Sequence, residues 1–519
     1  MAPSPDQMKA SANSQGCRMT ERPEDCTIVI FGASGDLSSR KLFPALARLF
    51  EVGGLPGNFA IVGTARTKMS TDEFREKVRG WLETSGNLAH IDWNTFAPRL
   101  SYQALEYDDP ASYQELRSSM EAAEAQLGLP GNRMFYLAIP PTLYESVSGM
   151  LGVAGLSKRK SKELWTRIVV EKPFGRDLDS SRVLDAAMHE HFQEEQIFRI
   201  DHYLAKETVQ NVLLFRFANS VFEPVWNRNF VDYVSILAAE ELGVEHRAGY
   251  YEEAGVLRDM FQNHMMQLLA MAAMEPPSVF RAREVLDEKT KLYRSLRPFD
   301  PAKGFGQLVL GQYAANADGS KIGYRQEPDV SPNSNTPTFA MLKTYVDNWR
   351  WQGVPFYICS GKRLERKITR IVVQFKEVPH SIYRDIVGEH VQANRLLMEV
   401  YPNETINLTL QAKMSGEGFC LRTATMSFNF KDGFEGPPLD SYEKVILDCM
   451  LGDHMLFWRQ DGVELAWAYL TPILQMCDQC ETMDENLKFY PAGSWGPRDA
   501  NMIHLNYLKD LLVSERRRS

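Results

Sequence analysis

The chain is poor in cysteine, with seven in 519 residues and no framework spacing. That scatter excludes a disulfide-stapled secreted domain and fits a reducing compartment, so a cytoplasmic protein is expected. Cys477 and Cys480 make one CxxC, but no second ligand pair stands at zinc spacing. The plain reading is two thiols near a helix end, with no metal expected. Long apolar runs are missing: none approaches the ~20 residues of a membrane span, so no membrane partner is expected. An excess of positive charge is missing as well. Lys and Arg number 58 against 67 Asp and Glu, a net charge of −9. This argues against a general nucleic-acid binder and still permits one local cationic pocket. Residues 1–24 are rich in Ser, Pro and polar groups and lack the apolar stretch of a signal peptide. They are expected to be a disordered leader, and residues 511–519 a solvated basic tail.

The composition is that of an ordinary globular protein, 44% hydrophobic and 24% charged. The length is too great for one ordinary core and predicts two domains. Thr27 to Phe31 is a short continuous apolar run, the mark of a strand buried on both faces. A glycine turn and a helical pattern from Arg40 to Phe50 follow. Ala60–Gly63, Met134–Ile139 (stopped by Pro140 and Pro141) and Arg167–Val170 read as further strands with helices between them. The alternation predicts an α/β domain over 25–200, a Rossmann-like doubly wound parallel sheet. Beyond it the period changes to two, in Val231–Leu237, Ile371–Phe375, Ile406–Leu410 and Ala424–Phe430. This predicts an α+β domain over 201–510 with a large, mainly antiparallel sheet covered on one face. The helical stretches Val256–Met274 and Val463–Leu474 are candidates for that cover. Residues 316–338, rich in Asn, Pro, Ser and Gly, read as a long surface excursion.

Gly32-Ala33-Ser34-Gly35-Asp36-Leu37 stands where the first strand hands over to a helix. Glycine lets the backbone approach a pyrophosphate there, and a helix N-terminus offers N–H donors and partial positive charge. The GxGxxG pattern is incomplete, because Ile30 occupies the place of its first glycine, so a plain strand-to-helix turn remains open. The next strand runs into Gly63-Thr64-Ala65-Arg66 without the carboxylate of an NAD-selective site. Arg66 either pairs with a 2′-phosphate, which favours NADP, or is a surface loop charge.

Arg199 to Glu207 gathers Asp201, His202, Tyr203 and Lys206 within six positions. Singly, each is explained as a core histidine or a solvated helix charge. Together they supply a carboxylate, a switchable base, a phenol and a fixed cation. His202 and Lys206 are four apart and share a face if helical, a face able to grip a phosphate dianion. Arg258 to His264 opens a largely apolar helical stretch. His264 is there either a buried structural residue or a base that takes a hydroxyl proton near neutral pH. Asp259 reads as a helix N-terminal charge. A base needs an orienting carboxylate on its other nitrogen, and Asp201 is the candidate.

Read in order, these segments resemble the glucose-6-phosphate dehydrogenase family. Gly32 to Leu37 followed by Lys41 is similar to its cofactor turn, and Arg66 falls at its NADP-phosphate arginine. Glu171-Lys172-Pro173-Phe174-Gly175 matches its EKPFG segment, which other sugar oxidoreductases share. Arg199 to Glu207 matches its highly specific RIDHYLGKE signature, and Arg258 to His264 its RDxxQNH stretch. Gly361 to Lys367 resembles its substrate-lysine segment. The likeness runs from about residue 26 to 500.

The resemblance implies a role for each position. His264 is then the general base, oriented by Asp201. His202, Tyr203 and Lys206 hold the sugar phosphate with Lys362. Lys172, Glu240, Asp259 and Lys367 hold the sugar hydroxyls. Gly32, Ser34, Gly35, Asp36, Leu37, Arg66 and Lys172 bind NADP, with NAD as the weaker alternative. Lys41 stands between cofactor and substrate, and Pro173 sets Lys172 beside the nicotinamide. The implied reaction is hydride transfer from C1 of D-glucose 6-phosphate to NADP without a metal. It gives 6-phospho-D-glucono-1,5-lactone, the first oxidative step of the pentose phosphate pathway, in a homodimer or homotetramer. Four positions depart from the pattern. Ala205 replaces a glycine, Ala239 a frequent lysine, and Tyr401 a glutamine of some relatives. Glu399 stands where animal members have an arginine for a second, structural NADP, so no second site is expected. The nearest rival is an oxidoreductase of an unphosphorylated sugar or inositol. The cations at 202–206, 362 and 367 oppose it. An NADP sensor without catalysis is opposed by the competent residue at every catalytic position.

Overall fold

The computed structural model describes residues 22–201, 207–387, 391–413, 420–430, 439–479 and 483–497. His202, Tyr203, Lys206 and Cys480 fall outside them, as do the tail and most of the leader. In chain order the strands are β1 (Cys26–Phe31), β2 (Phe59–Ala65), β3 (Leu100–Ala104), β4 (Asn132–Leu137), β5 (Thr166–Val170) and β6 (Ile197–Ile200). Next come β7 (Val231–Ala239), β8 (Leu308–Ala314), β9 (Phe339–Tyr345), β10 (Pro355–Gly361), β11 (Ile368–Phe375), β12 (Arg395–Tyr401), β13 (Thr405–Lys413) and β14 (Leu421–Asn429). The last two are β15 (Phe457–Trp458) and β16 (Leu487–Pro491).

The seven-stranded sheet has the order β3-β2-β1-β4-β5-β6-β15. Strands β1 to β6 pair in parallel, and β15 adds an antiparallel edge through Phe457 opposite Ile200. Every residue of β1, β2 and β4 is buried, as their apolar runs require. The order 3-2-1-4-5-6 is the doubly wound one. It reverses between β1 and β4, where ligands bind at the carboxyl ends of the strands. The helix Phe43–Glu51 packs Phe43, Leu46 and Leu49 onto this sheet.

A second helix on this sheet comes from far downstream. Val445, Ile446, Cys449 and Met450 of the helix Ser441–Leu451 lie in the same core. Burying the Val, Ile and Met side chains is worth roughly 1.5–3 kcal/mol each. Arg167 of β5 stacks on Trp165 and donates to the Cys449 and Met450 carbonyls at 2.7 and 2.6 Å. It thereby satisfies carbonyls at a helix end that lack intrahelical partners. The expectation divides the chain once, near residue 200. By Cα packing the chain forms two units, each drawn from three segments. The first takes the chain up to Glu207, Pro277–Asp287 and Glu435–Glu464.

The second unit holds a nine-stranded sheet, β14-β13-β12-β11-β7-β10-β9-β8-β16. Its neighbours are antiparallel except β7 with β10 and β8 with β16. The stretch expected to be helical at 256–274 is π-wound over Leu257–Met265 and α-helical over Met266–Ala273. Its last carbonyls, on Ala272 and Ala273, accept from the indoles of Trp226 and Trp351, both at 2.8 Å. The helix Gln460–Asp478 reaches the sheet through Tyr469, whose hydroxyl lies 2.7 Å from Thr344 Oγ1. The excursion at 316–338 is anchored, since Tyr324 and Ser334 both donate to Glu252. One expectation differs from the structure. Strict alternation in β14 predicts a covered apolar face, but Met426 and Phe428 are 64% and 51% exposed.

Candidate active site

The glycine turn leaves β1 at the switch point. Gly32 has φ +75°, and a Cβ there would lie 2.2 Å from the Ala138 carbonyl oxygen, so only glycine fits. Its N–H donates to Thr64 O at 2.8 Å, Gly35 N–H returns to Gly32 O at 2.9 Å, and Ser38 Oγ donates to the same carbonyl. Ser34 Oγ lies 3.3 Å from Thr67 Oγ1, and Asp36 pairs with Arg40 at the solvent edge. Arg66 is exposed over the ring of Tyr107, 6.0 Å from its centroid. The Tyr107 hydroxyl lies close enough to the Gly32 backbone to feel it electrostatically, so one ring borders both the turn and the guanidinium. Burial raises the Tyr107 pKa and Arg66 partly offsets it. The residue set fits a 2′-phosphorylated dinucleotide: a glycine-only turn, two hydroxyls and a guanidinium, with no acid closing β2.

Strand β5 delivers Glu171 and Lys172, and the Lys172–Pro173 peptide is cis. Asp201 follows β6 and is 1% exposed. Arg199, two residues earlier, is bound to Asp185 at 2.7 Å and Glu194 at 2.8 Å. Asp185, His189 and Glu194 are the only potential metal-ligand cluster among the described residues. Arg199 engages both of its carboxylates, so it reads as an ion-pair network. Cys477 is partly exposed.

The second unit brings together three of the expected sugar-binding residues. Lys362 Nζ lies 2.5 Å from Glu240 Oε2 and 3.4 Å from Asp259 Oδ2, over the face of Tyr251. Burial opposes the ammonium charge, but Glu240 and Asp259 outweigh it and raise its pKa. One cation between two carboxylates suits neutral hydroxyls, which need donors and acceptors side by side, better than it suits a dianion. Asp259 and His264, 3% and 1% exposed, stand five residues apart on the π-wound helix. The wider π turn brings them closer in angle around the helix than an α-helix would. Lys367 stands apart from this cluster, 4.8 Å from the Tyr401 ring centroid. Glu399 is buried against Arg370 at 2.6 Å and also accepts from the Asn403 side chain at 2.7 Å. A cavity of about 340 Å³ opens elsewhere in this unit, between Arg228, Tyr233, Tyr357 and Lys376, and no expected site residue lines it.

The residues that sequence reasoning missed are aromatic: Tyr107, Tyr251, and the pair Tyr136 and Tyr442 beside Glu171. Isolated tyrosines carry no spacing signal, and their partners lie 35 to 271 positions away.

Comparison with known proteins covers both units. The family described as "Glucose-6-phosphate dehydrogenase, NAD binding domain" matches residues 29–211, and "Glucose-6-phosphate dehydrogenase, C-terminal domain" matches 213–508. A glucose-6-phosphate 1-dehydrogenase of Aggregatibacter actinomycetemcomitans is 42% identical over 484 residues, 93% of this chain and 96% of that one. That of Bacillus subtilis (strain 168) is 40% identical over 500 residues, 96% and 98% of the two chains. A solved glucose-6-phosphate dehydrogenase in complex with glucose-6-phosphate superposes with a TM-score of 0.84 at 34% identity, covering 95% of this chain and 99% of its own. The chain belongs to the glucose-6-phosphate dehydrogenase family.

Proposed function

We propose that the chain oxidises glucose 6-phosphate at C1 with NADP, giving the 6-phospho-lactone. The observation that carries this reading is the buried cluster of Lys362 between Glu240 and Asp259, the latter on the helix that also bears His264. A hydroxyl-rich ligand held by that cluster presents its C1 hydroxyl to a base one turn away. NADP, when bound, supplies the hydride acceptor. The chain's own work is positioning and proton removal. His264 takes the C1 hydroxyl proton, Asp201 orients its ring, and Glu240, Asp259, Lys172 and Lys367 hold the hydroxyls. Lys362, between Glu240 and Asp259, joins them on the hydroxyls rather than on the phosphate, while His202, Tyr203 and Lys206 are assigned to the sugar phosphate, whose remote binding energy aligns C1. Base catalysis of this kind contributes about 10²–10⁴-fold.

NADP is favoured over NAD by Arg66 and by the absence of an acid at the end of β2. The exposed apolar face of β14 supports a homodimer or homotetramer, and the free-thiol chemistry a reducing, cytoplasmic setting. The test is nicotinamide reduction followed by ultraviolet absorbance with glucose 6-phosphate or glucose, each with NADP or NAD. Turnover that needs the phosphate and prefers NADP is expected. Equal turnover of glucose would favour the unphosphorylated-sugar reading.

A further inference from the structure

Glu171 precedes Lys172 and has no part in the chemistry above, yet its surroundings are tyrosines. The Tyr136 hydroxyl donates to its Oε1 at 2.7 Å, and the Tyr442 phenol stands near enough to favour the charged carboxylate. Tyr144 closes the backbone, accepting from Glu171 N–H at 3.1 Å and donating to Glu171 O at 2.9 Å. The three rings come from three elements: β4, the helix Tyr144–Val153, and the helix Ser441–Leu451. Tyr442 has a second contact, its ring 5.9 Å from Lys41 Nζ. A residue 271 positions downstream of Glu171 thus stands beside both Lys41 and the carboxylate next to Lys172.

From this geometry we propose that Tyr442 and Tyr136 are positioning residues. They act through Glu171 to fix the Lys172–Pro173 segment, and Tyr442 also orients Lys41. The proposal rests on the dehydrogenase reading for what Lys172 and Lys41 do, and on contacts within the first unit for how they are held. A carboxylate held by one phenol and bordered by a second, on a residue whose N–H and C=O are both fixed, cannot rotate. The next residue therefore leaves it in one direction. The phenols remain donors across the working pH range, because burial pushes Tyr136 and Tyr442 well above the usual phenol range. Burial also raises the Glu171 carboxyl. The Tyr136 hydrogen bond, Lys172 and the Tyr442 phenol pull it back down, and Asp201 raises it. Loss of either hydroxyl should move it up again.

The test uses the full chain as wild type, Tyr442→Phe and Glu171→Gln, with Tyr136→Phe as substitute should Tyr442→Phe fold poorly. Tyr442→Phe keeps the ring against Lys41 and the packing, and removes only the hydroxyl. It is expected to lower kcat roughly 10-fold, with a smaller change in the glucose 6-phosphate KM and an unchanged thermal midpoint. The part of the acid limb of kcat/KM that Glu171 sets should shift to higher pH, and Glu171→Gln should lose that part and keep the limb set by His264. A Tyr442→Phe enzyme with wild-type kcat and pH profile overturns the proposal and leaves the dehydrogenase reading standing. A wild type without turnover removes that reading instead. The clamp is then decided by the ¹³C NMR titration of the Glu171 carboxyl, assigned by its absence in Glu171→Gln. An upward move in Tyr442→Phe supports the clamp, and an unmoved titration overturns it.

Discussion

Arg66 and Glu399 are single side chains in opposite settings, one exposed and one buried. Arg66 is exposed and held over Tyr107, so removing it should leave the fold intact. Arg66→Ala is expected to raise the NADP KM far more than the NAD KM in steady-state assays, and equal changes would remove its role with the 2′-phosphate. Glu399 is a different case. It is buried against Arg370, with Asn403 on its second oxygen, and so completes an internal ion pair. Glu399→Ala strands the Arg370 charge and should cost about 3–5 kcal/mol by urea unfolding. Arg370→Met with Glu399→Leu should cost much less, because both desolvated charges go together.

At the scale of elements, the helix Ser441–Leu451 carries a pH signature. Burial pushes the Asp448 carboxyl up to about 6, and Lys444 only partly offsets it. A carboxyl raised above its unfolded value of 3.8 binds more protons folded than unfolded between those two values. The Asp448 contribution to stability therefore falls as pH rises through that window, by about 3 kcal/mol in all. Asp448→Asn should flatten this slope and be the more stable form at pH near 7, as read from denaturation midpoints across pH. A gap between wild type and Asp448→Asn that stays constant over the same window would contradict this.

The same helix marks the limit of what the sequence makes legible. Strands β1, β2, β4 and β5 announce themselves, because buried parallel strands are continuous apolar runs. Period two announces β7, β11, β13 and β14. Short β3, β6 and β15 escape, having five, four and two residues and no clear period. The docking of Ser441–Leu451 on the first sheet escapes too, because periodicity reports a buried face and not its partner. Gly32, Arg66 and His264 stand out from residue type and neighbourhood, whereas Asp259 reads there as a helix-terminal charge. The π-winding does not stand out, since 257–265 has ordinary helical composition.

For the whole molecule, the apolar residues left exposed on β14 are the feature to explain. Met426 and Phe428 lie on a sheet face whose alternation is that of a covered surface. Phe428→Glu with Met426→Glu should lower the mass measured by light scattering to that of a single chain, with little change in the unfolding of the first unit. An unchanged mass would place the interface elsewhere.

The central claim is that His264 removes the C1 hydroxyl proton as the hydride leaves C1, and the most direct measurement is the turnover of His264→Asn with glucose 6-phosphate and NADP. The account predicts a kcat lower by about 10²–10⁴-fold with a near-normal glucose 6-phosphate dissociation constant. A variant that turns over at the wild-type rate, or loses only substrate affinity, would contradict it.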